Sequence, residues 1–275
     1  MKIATILSVH GDTEIVLDTI DALKTWVGDD ILTIVDGASW HSWGKDVKLP
    51  TKKIEGVQHG CAQAPYRNMA YGLMHLLDNY PDADWYLYTE YDTLFVGDSF
   101  KEDLKIAEEE GVWCLGNLMR APPIRQVKLP FIEAMLKTEI KVHKALLGCC
   151  MFYNAKFLHL LKSMNFFDSL LSWTNGFDKG FFPQFDEYDV SEHLYPTLAA
   201  HLGGKVKHMA WWNDMFGWAG NFKRYPMRFR PPLGEHDYFP EASILHPVKE
   251  MGSYCRILAK AARRRKKCSV TNQLS

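Results

Sequence analysis

The chain has 275 residues, 47% of them hydrophobic, with 32 basic and 33 acidic side chains and a formal net charge of -1. That length and apolar content can bury a full core, which excludes a disordered chain and leads us to expect one large domain. The near-neutral balance argues against a general nucleic-acid binder, so any charged partner must be recognised locally.

The first forty residues read strand, helix, strand: "KIATILSV", then "TEIVLDTIDALKTWV" with Ile15, Ile20, Leu23 and Val27 at helical spacing, then "DILTIVDG". The opening apolar run is too short, and too soon interrupted by Asp12 and Glu14, for a secretory signal. Strand, helix, strand is the start of an α/β domain with a parallel sheet. Residues 64 to 79, "APYRNMAYGLMHLLDN", form the next expected helix, with Pro65 near its start, and "DWYLYTEYD" the next strand. Three strands then end in polar residues, at His10-Gly11, Asp36-Gly37 and Glu90-Tyr91-Asp92. In open α/β sheets ligands sit beyond the carboxyl ends of the strands, so these ends are expected to line one crevice.

Further on, a helix is expected around 99 to 110 and a strand at "GVWCLGNL", followed by a connection of undefined form from 120 to 148. "GCCMFYNAKFLHLLKSM" reads as strand into helix, and "SEHLYPTLAAHLGGKVKHMA" as helix, Gly turn and strand, with Pro196 in the helix's first turns. Aromatics, Pro and Gly dominate 211 to 247, where Trp211, Trp212, Phe216, Trp218 and Phe222 could form a lid or acceptor platform or simply core; "ASILHPV" is a short apolar run near its end. The last twenty residues carry Arg256, Lys260, Arg263, Arg264, Arg265, Lys266 and Lys267 and no acid, a basic tail suited either to an anionic membrane surface or to solvent. No stretch approaches the roughly 18 uncharged apolar residues of a membrane span. The six cysteines contain no C-x-x-C pair, so neither a zinc site nor a disulfide framework is indicated, and a cytoplasmic location is expected.

Glu90 and Asp92, two apart on extended chain, point to the same face and repel unless a cation lies between them. Mg²⁺ and Mn²⁺ take carboxylate oxygens together with substrate phosphates, so the pair suits a metal clamp for a diphosphate, although taken alone the motif favours two solvated acids in a turn.

The order of these segments resembles the GT-A glycosyltransferases, most closely the family 2-like, nucleotide-sugar-dependent enzymes. "ILSVHGDTEIVLDTIDAL" is similar to their opening strand and helix, "TIVDGAS" to the second strand with its nucleotide-contacting Asp, "APYRNMAYGL" to their "ARN-x-A" helix, and "YLYTEYDTLF" stands where their D-x-D motif lies, with Glu90 replacing the first Asp. "SEHLYPTLAAHLGGKV" resembles the segment that supplies their catalytic base, which places Glu192 in that role with Asp189 and Glu187 as competitors.

The resemblance implies a GT-A, Rossmann-like fold with a mixed, mostly parallel sheet flanked by helices. Residues 1 to 95 would be a nucleotide-binding half and 96 to 250 an acceptor half of one catalytic domain, with 251 to 275 as the tail. It implies Mn²⁺ or Mg²⁺ held by Asp92, Glu90 and His246, and a nucleotide, such as UDP, bordered by His10, Gly11, Asp36, Arg67 and Tyr91. The expected reaction is transfer of one sugar, with inversion, from a nucleotide diphosphate sugar to a glycan, glycolipid or small-molecule acceptor. No Q-x-x-R-W motif is present, which speaks against a processive synthase. Two alternatives stay open: a nucleotidyltransferase, whose Gly-rich basic first loop "SVHGDTEIV" lacks, and a catalytically silent sugar- or nucleotide-binding domain.

Overall fold

The computed structural model describes residues 1–56, 64–118, 130–140, 144–174, 190–211, 227–229 and 242–273. In chain order the elements of the first half are β1 (Ile3–Val9), α1 (Thr13–Trp26), β2 (Ile31–Val35), α2 (Gly37–Ser39) running into a wider π-type turn (Trp40–Gly44), β3 (Lys52–Glu55), α3 (Ala64–Asn79), β4 (Trp85–Glu90), β5 (Leu94–Phe95), α4 (Phe100–Glu109) and β6 (Val112–Leu118). There follow α5 (Pro130–Leu136), β7 (Leu146–Asn154), α6 (Ala155–Ser163), α7 (Phe166–Thr174), α8 (Val190–His201), β8 (Lys205–His208), β9 (Ala210–Trp211), β10 (Met227–Phe229), β11 (Ile244–His246) and α9 (Tyr254–Gln273).

Seven strands form one sheet in the order β3-β2-β1-β4-β7-β6-β8. All its pairings are parallel except those of β7, which runs against both β4 and β6. This is the expected mixed, mostly parallel α/β architecture of Rossmann-like type. Alternate strand residues enter opposite core layers, which is why β1 and β4 read as continuous apolar runs rather than as alternating ones. Ile3, Leu7, Val9, Trp85 and Leu87 pack on the side of α1 and α4, with Val16, Ile20, Leu23, Phe100 and Leu104. Ala4, Ile6, Tyr86 and Tyr88 pack on the other side, against Met69, Leu73, Phe157, Phe166 and Leu198 of α3, α6, α7 and α8.

Because β1, β2 and β4 are parallel, their carboxyl ends share one edge of the sheet. Antiparallel β7 begins at that edge, so Cys150 pairs with Thr89 and the residues just before it lie beside Glu90. A second, four-stranded sheet, β5-β11-β10-β9, covers this end. Its antiparallel β5–β11 pair, Leu245 against Leu94, brings His246 back to the β4 end.

The last segment is an ordered helix rather than a tail. Arg256, Arg263 and Lys267 are spaced by whole numbers of turns and so share one face of α9. They meet Asp18 and Asp21, one turn apart on α1: Arg256 Nη1 lies 2.6 Å from Asp18 Oδ2, Arg263 pairs with Asp18 and sits 2.8 Å from Asp21 Oδ2, and Lys267 Nζ lies 2.7 Å from Asp21 Oδ1. Lys266 adds an ion pair to Asp98 and lies over the Trp26 ring. Lys260, Arg264 and Arg265 form no ion pair among the described residues, so less than half of the basic charge is left for another partner. No helix among these residues is long and apolar enough to cross a membrane.

Candidate functional site

β4 is apolar and buried up to Thr89 and turns polar at Glu90, where the chain leaves the sheet. A tight turn follows: the Tyr91 N–H donates to Ser8 O of β1 at 3.0 Å, and the Thr93 N–H to Glu90 O at 3.0 Å. The turn buries Asp92, which is 4% exposed, while Glu90 remains half-buried.

His246, the last residue of β11, faces both acids. Its Nε2 lies 3.2 Å from Asp92 Oδ1 and 3.4 Å from Glu90 Oε2. One ligand atom from each of Glu90, Asp92 and His246 can be chosen so that all lie within 4.8 Å of one another, a group that could hold a metal ion. Two carboxylates and an imidazole make a hard oxygen and nitrogen donor set, which fits Mn²⁺ or Mg²⁺ better than a thiolate-seeking metal. Lys249 Nζ stands 3.7 Å from Asp92 Oδ2 with its side chain 66% exposed, so a cationic head sits at the mouth of the cluster.

Burial alone pushes the Asp92 carboxyl up, but His246 and Lys249 outweigh it and hold Asp92 below the ordinary carboxylate value. Burial likewise pulls His246 down, yet hydrogen bonds to Asp92, Cys149 and Glu90 overcome it and raise the imidazole to about 12. The buried Cys149 thiol that touches His246 is pushed up, chiefly by burial.

Glu192 approaches from the first turn of α8, where its Oε1 accepts the Gly148 N–H at 2.7 Å. Gly148 immediately precedes Cys149, so Glu192 and the three-residue cluster flank the same start of β7. A Cβ on residue 148 would lie 3.4 Å from Glu192 Oε1, within ordinary contact distance.

The remaining expected residues sit around this edge. His10 is exposed, with its ring edge-on to Tyr91 at 4.6 Å between centroids, and its carbonyl accepts the Ser39 hydroxyl at 2.8 Å. Gly11 has φ 154°, a backbone that side chains rarely adopt. The Asp36 N–H donates to Val9 O at 2.8 Å, which places Asp36 beside His10 at the ends of the two strands. The Tyr91 hydroxyl is held above its ordinary pKa by burial and by the neighbouring acids. Arg67 is buried in α3, and its neighbour Asn68 lies against Gly56 beyond β3. Asp189 and Glu187 lie outside the described residues, as do Trp212, Phe216, Trp218 and Phe222.

The acid pair Glu90 and Asp92 is legible in residue chemistry, and the resemblance to GT-A enzymes adds His246 and Glu192. Cys149 was missed, because a small-residue strand carries no signal for a thiol that meets an imidazole from β11. Also missed were Thr19, whose hydroxyl donates to Tyr91 O, and Arg256, which donates to Val248 O.

No known family matches the chain, and no curated protein does. Among solved structures it is similar to 4-diphosphocytidyl-2C-methyl-D-erythritolsynthase from Anaerococcus prevotii DSM 20548, with 12% sequence identity, a TM-score of 0.42, and 75% of this chain and 87% of that one covered.

Proposed function

We propose that the chain is a metal-dependent transferase acting on a nucleotide-derived substrate, and that its reaction is transfer of one sugar from a nucleotide diphosphate sugar to an acceptor hydroxyl. The observation that carries this is the meeting of Glu90, Asp92 and His246 at the carboxyl ends of parallel strands, on the same edge as His10, Gly11 and Asp36. Mn²⁺ or Mg²⁺ held there would neutralise charge building on a departing diphosphate.

The chain's own residues supply the rest. Asp92 and Glu90 present carboxylate oxygens, His246 a ring nitrogen, and Lys249 a cation free to swing toward a phosphate oxygen. Asp36 and Arg67 offer an acceptor and a donor for the nucleotide, and His10, Gly11 and Tyr91 border it. Glu192, oriented by the Gly148 N–H, takes the proton of the acceptor hydroxyl as its oxygen bonds to the anomeric carbon. The bond from that carbon to the diphosphate breaks with its electron pair on the diphosphate. A single base opposite the leaving group gives inversion.

A nucleotidyltransferase would use the same clamp and crevice, and a silent binding domain would bind without turnover. Product analysis separates the three. With Mn²⁺ and a panel of sugar nucleotides, glycosyl transfer releases a nucleoside diphosphate, by transfer or slow hydrolysis, and Asp92→Ala abolishes the release. Pyrophosphate formed from a nucleoside triphosphate and a sugar phosphate would assign nucleotidyl transfer, and tight binding with no product a binding domain.

A further inference from the structure

We infer that Arg256 is a positioning residue that sets the spacing between the two chain segments carrying Glu90, Asp92 and His246; the inference rests on the reading of that cluster as a metal site. Arg256 is 0% exposed, although it belongs to the stretch of chain richest in basic residues. Its guanidinium is divided between two segments, α1 and the stretch that follows β11. Nε and Nη2 donate to Val248 O at 3.1 and 2.7 Å, Nη1 donates to Asp18 Oδ2 at 2.6 Å, and Nη1 and Nη2 both reach Thr19 Oγ1 at 3.4 Å.

The contacts to Val248 and Thr19 lead to the cluster. Val248 is two residues beyond His246, and its N–H donates to Asp92 O at 2.8 Å. The Thr19 hydroxyl, accepting from Arg256, donates its own proton to Tyr91 O at 2.6 Å. Tyr91 stands between Glu90 and Asp92. The turn that presents the two acids and the strand end that presents the imidazole are therefore tied to one planar fork from α9.

Arginine suits this task and lysine does not. A guanidinium holds its donors at fixed angles and can bridge two carbonyl-bearing segments, whereas an ammonium is a point charge on a flexible stem. The fork is itself held rigidly, because Asp18 also binds the buried Arg263, which reaches Asp21 in turn. Groups behind the ligands of a metal site typically change its affinity about 10–100-fold when removed.

The test measures Mn²⁺ affinity of the full chain by calorimetry, with circular dichroism and thermal unfolding to establish that each variant is folded. Arg256→Lys is expected to weaken Mn²⁺ binding about tenfold or more. Thr19→Val, which keeps the shape and removes only the hydroxyl link to Tyr91, is expected to weaken it severalfold. Lys267→Met, which loosens the far end of α9, should lower the melting temperature and leave Mn²⁺ affinity at the parent value. Folded Arg256→Lys and Thr19→Val proteins that bind Mn²⁺ as tightly as the parent would overturn the inference. If Arg256→Lys does not fold, Thr19→Val decides by the same criterion. A parent chain that binds no Mn²⁺ would instead overturn the metal-site reading, and the inference with it.

Discussion

Asp18→Asn probes the network that fastens α9 to α1. The Asp18 side chain is 4% exposed and bonds two arginines whose side chains are 0% and 3% exposed. Asn keeps the shape but removes the charge and turns an N–H₂ group toward guanidinium donors. Breaking a buried pair by removing one partner costs about 3–5 kcal/mol, because the remaining charge is left buried without compensation. Here the two arginines keep other acceptors, Val248 O for Arg256 and Asp21 for Arg263, so the low end applies, about 3 kcal/mol. At about 2–4 °C per kcal/mol for a chain of this size, the melting temperature should fall by about 6–12 °C. Urea unfolding followed by circular dichroism measures the free energy directly. A parallel Asp18→Leu, Arg256→Met, Arg263→Met protein should lose far less stability, since an apolar replacement leaves no orphaned charge. A loss below about 1 kcal/mol for Asp18→Asn would refute the reasoning, because it would mean that the network behaves like a solvated surface pair.

Three further predictions concern separate parts of the molecule. Asp21 is held below its ordinary carboxyl value because Lys267 and Arg263 outweigh the effect of burial. Its stabilisation is therefore present above the unfolded value of about 3.9 and is lost as pH falls through the lower folded value. Asp21→Asn should flatten the acid limb of a stability-against-pH curve; an unchanged limb would contradict this. Gly56→Ala would set a Cβ 2.6 Å from Asn68 Oδ1 and 2.8 Å from the Val35 carbonyl oxygen, so a loss of about 1–3 kcal/mol is expected in denaturant unfolding. Glu192→Gln should reduce turnover about 10²–10⁴-fold with Mn²⁺ and nucleotide affinity unchanged, the expected loss for a general base. Retained turnover would hand the role to Asp189 or Glu187.

Most of the architecture of residues 1 to 95 was legible in the sequence because it rests on local signals. The apolar runs of β1, β2 and β4 and the helical spacing in α1 are written in single segments, and α3 spans the residues its pattern marked. The polar residues at three strand ends named one crevice through the parallel-sheet rule alone. What failed to show depends on distant partners. Lys52–Glu55 is a short edge strand of two lysines, an isoleucine and a glutamate, which hydrophobic patterning passes over. The reversal of β7 is a pairing choice with no local mark.

The final helix is the most instructive case. Seven cations without an acid look like a solvated tail, yet Arg256 and Asp18 meet across 238 residues of chain. A helical reading of positions 256, 263 and 267 would have shown one basic face, and Asp18 and Asp21 on α1 one acidic face. Nothing local says that the two faces meet.

The most direct test of the proposed metal-dependent nucleotide site is anomalous diffraction from crystals grown with Mn²⁺ and a nucleoside diphosphate. The site described here predicts one manganese peak in bonding contact with Asp92, with His246 and Glu90 around it, diphosphate oxygens on its open side, and the nucleoside running toward Asp36. A manganese peak away from Glu90, Asp92 and His246, or a nucleotide bound elsewhere with this cluster unchanged, would contradict it.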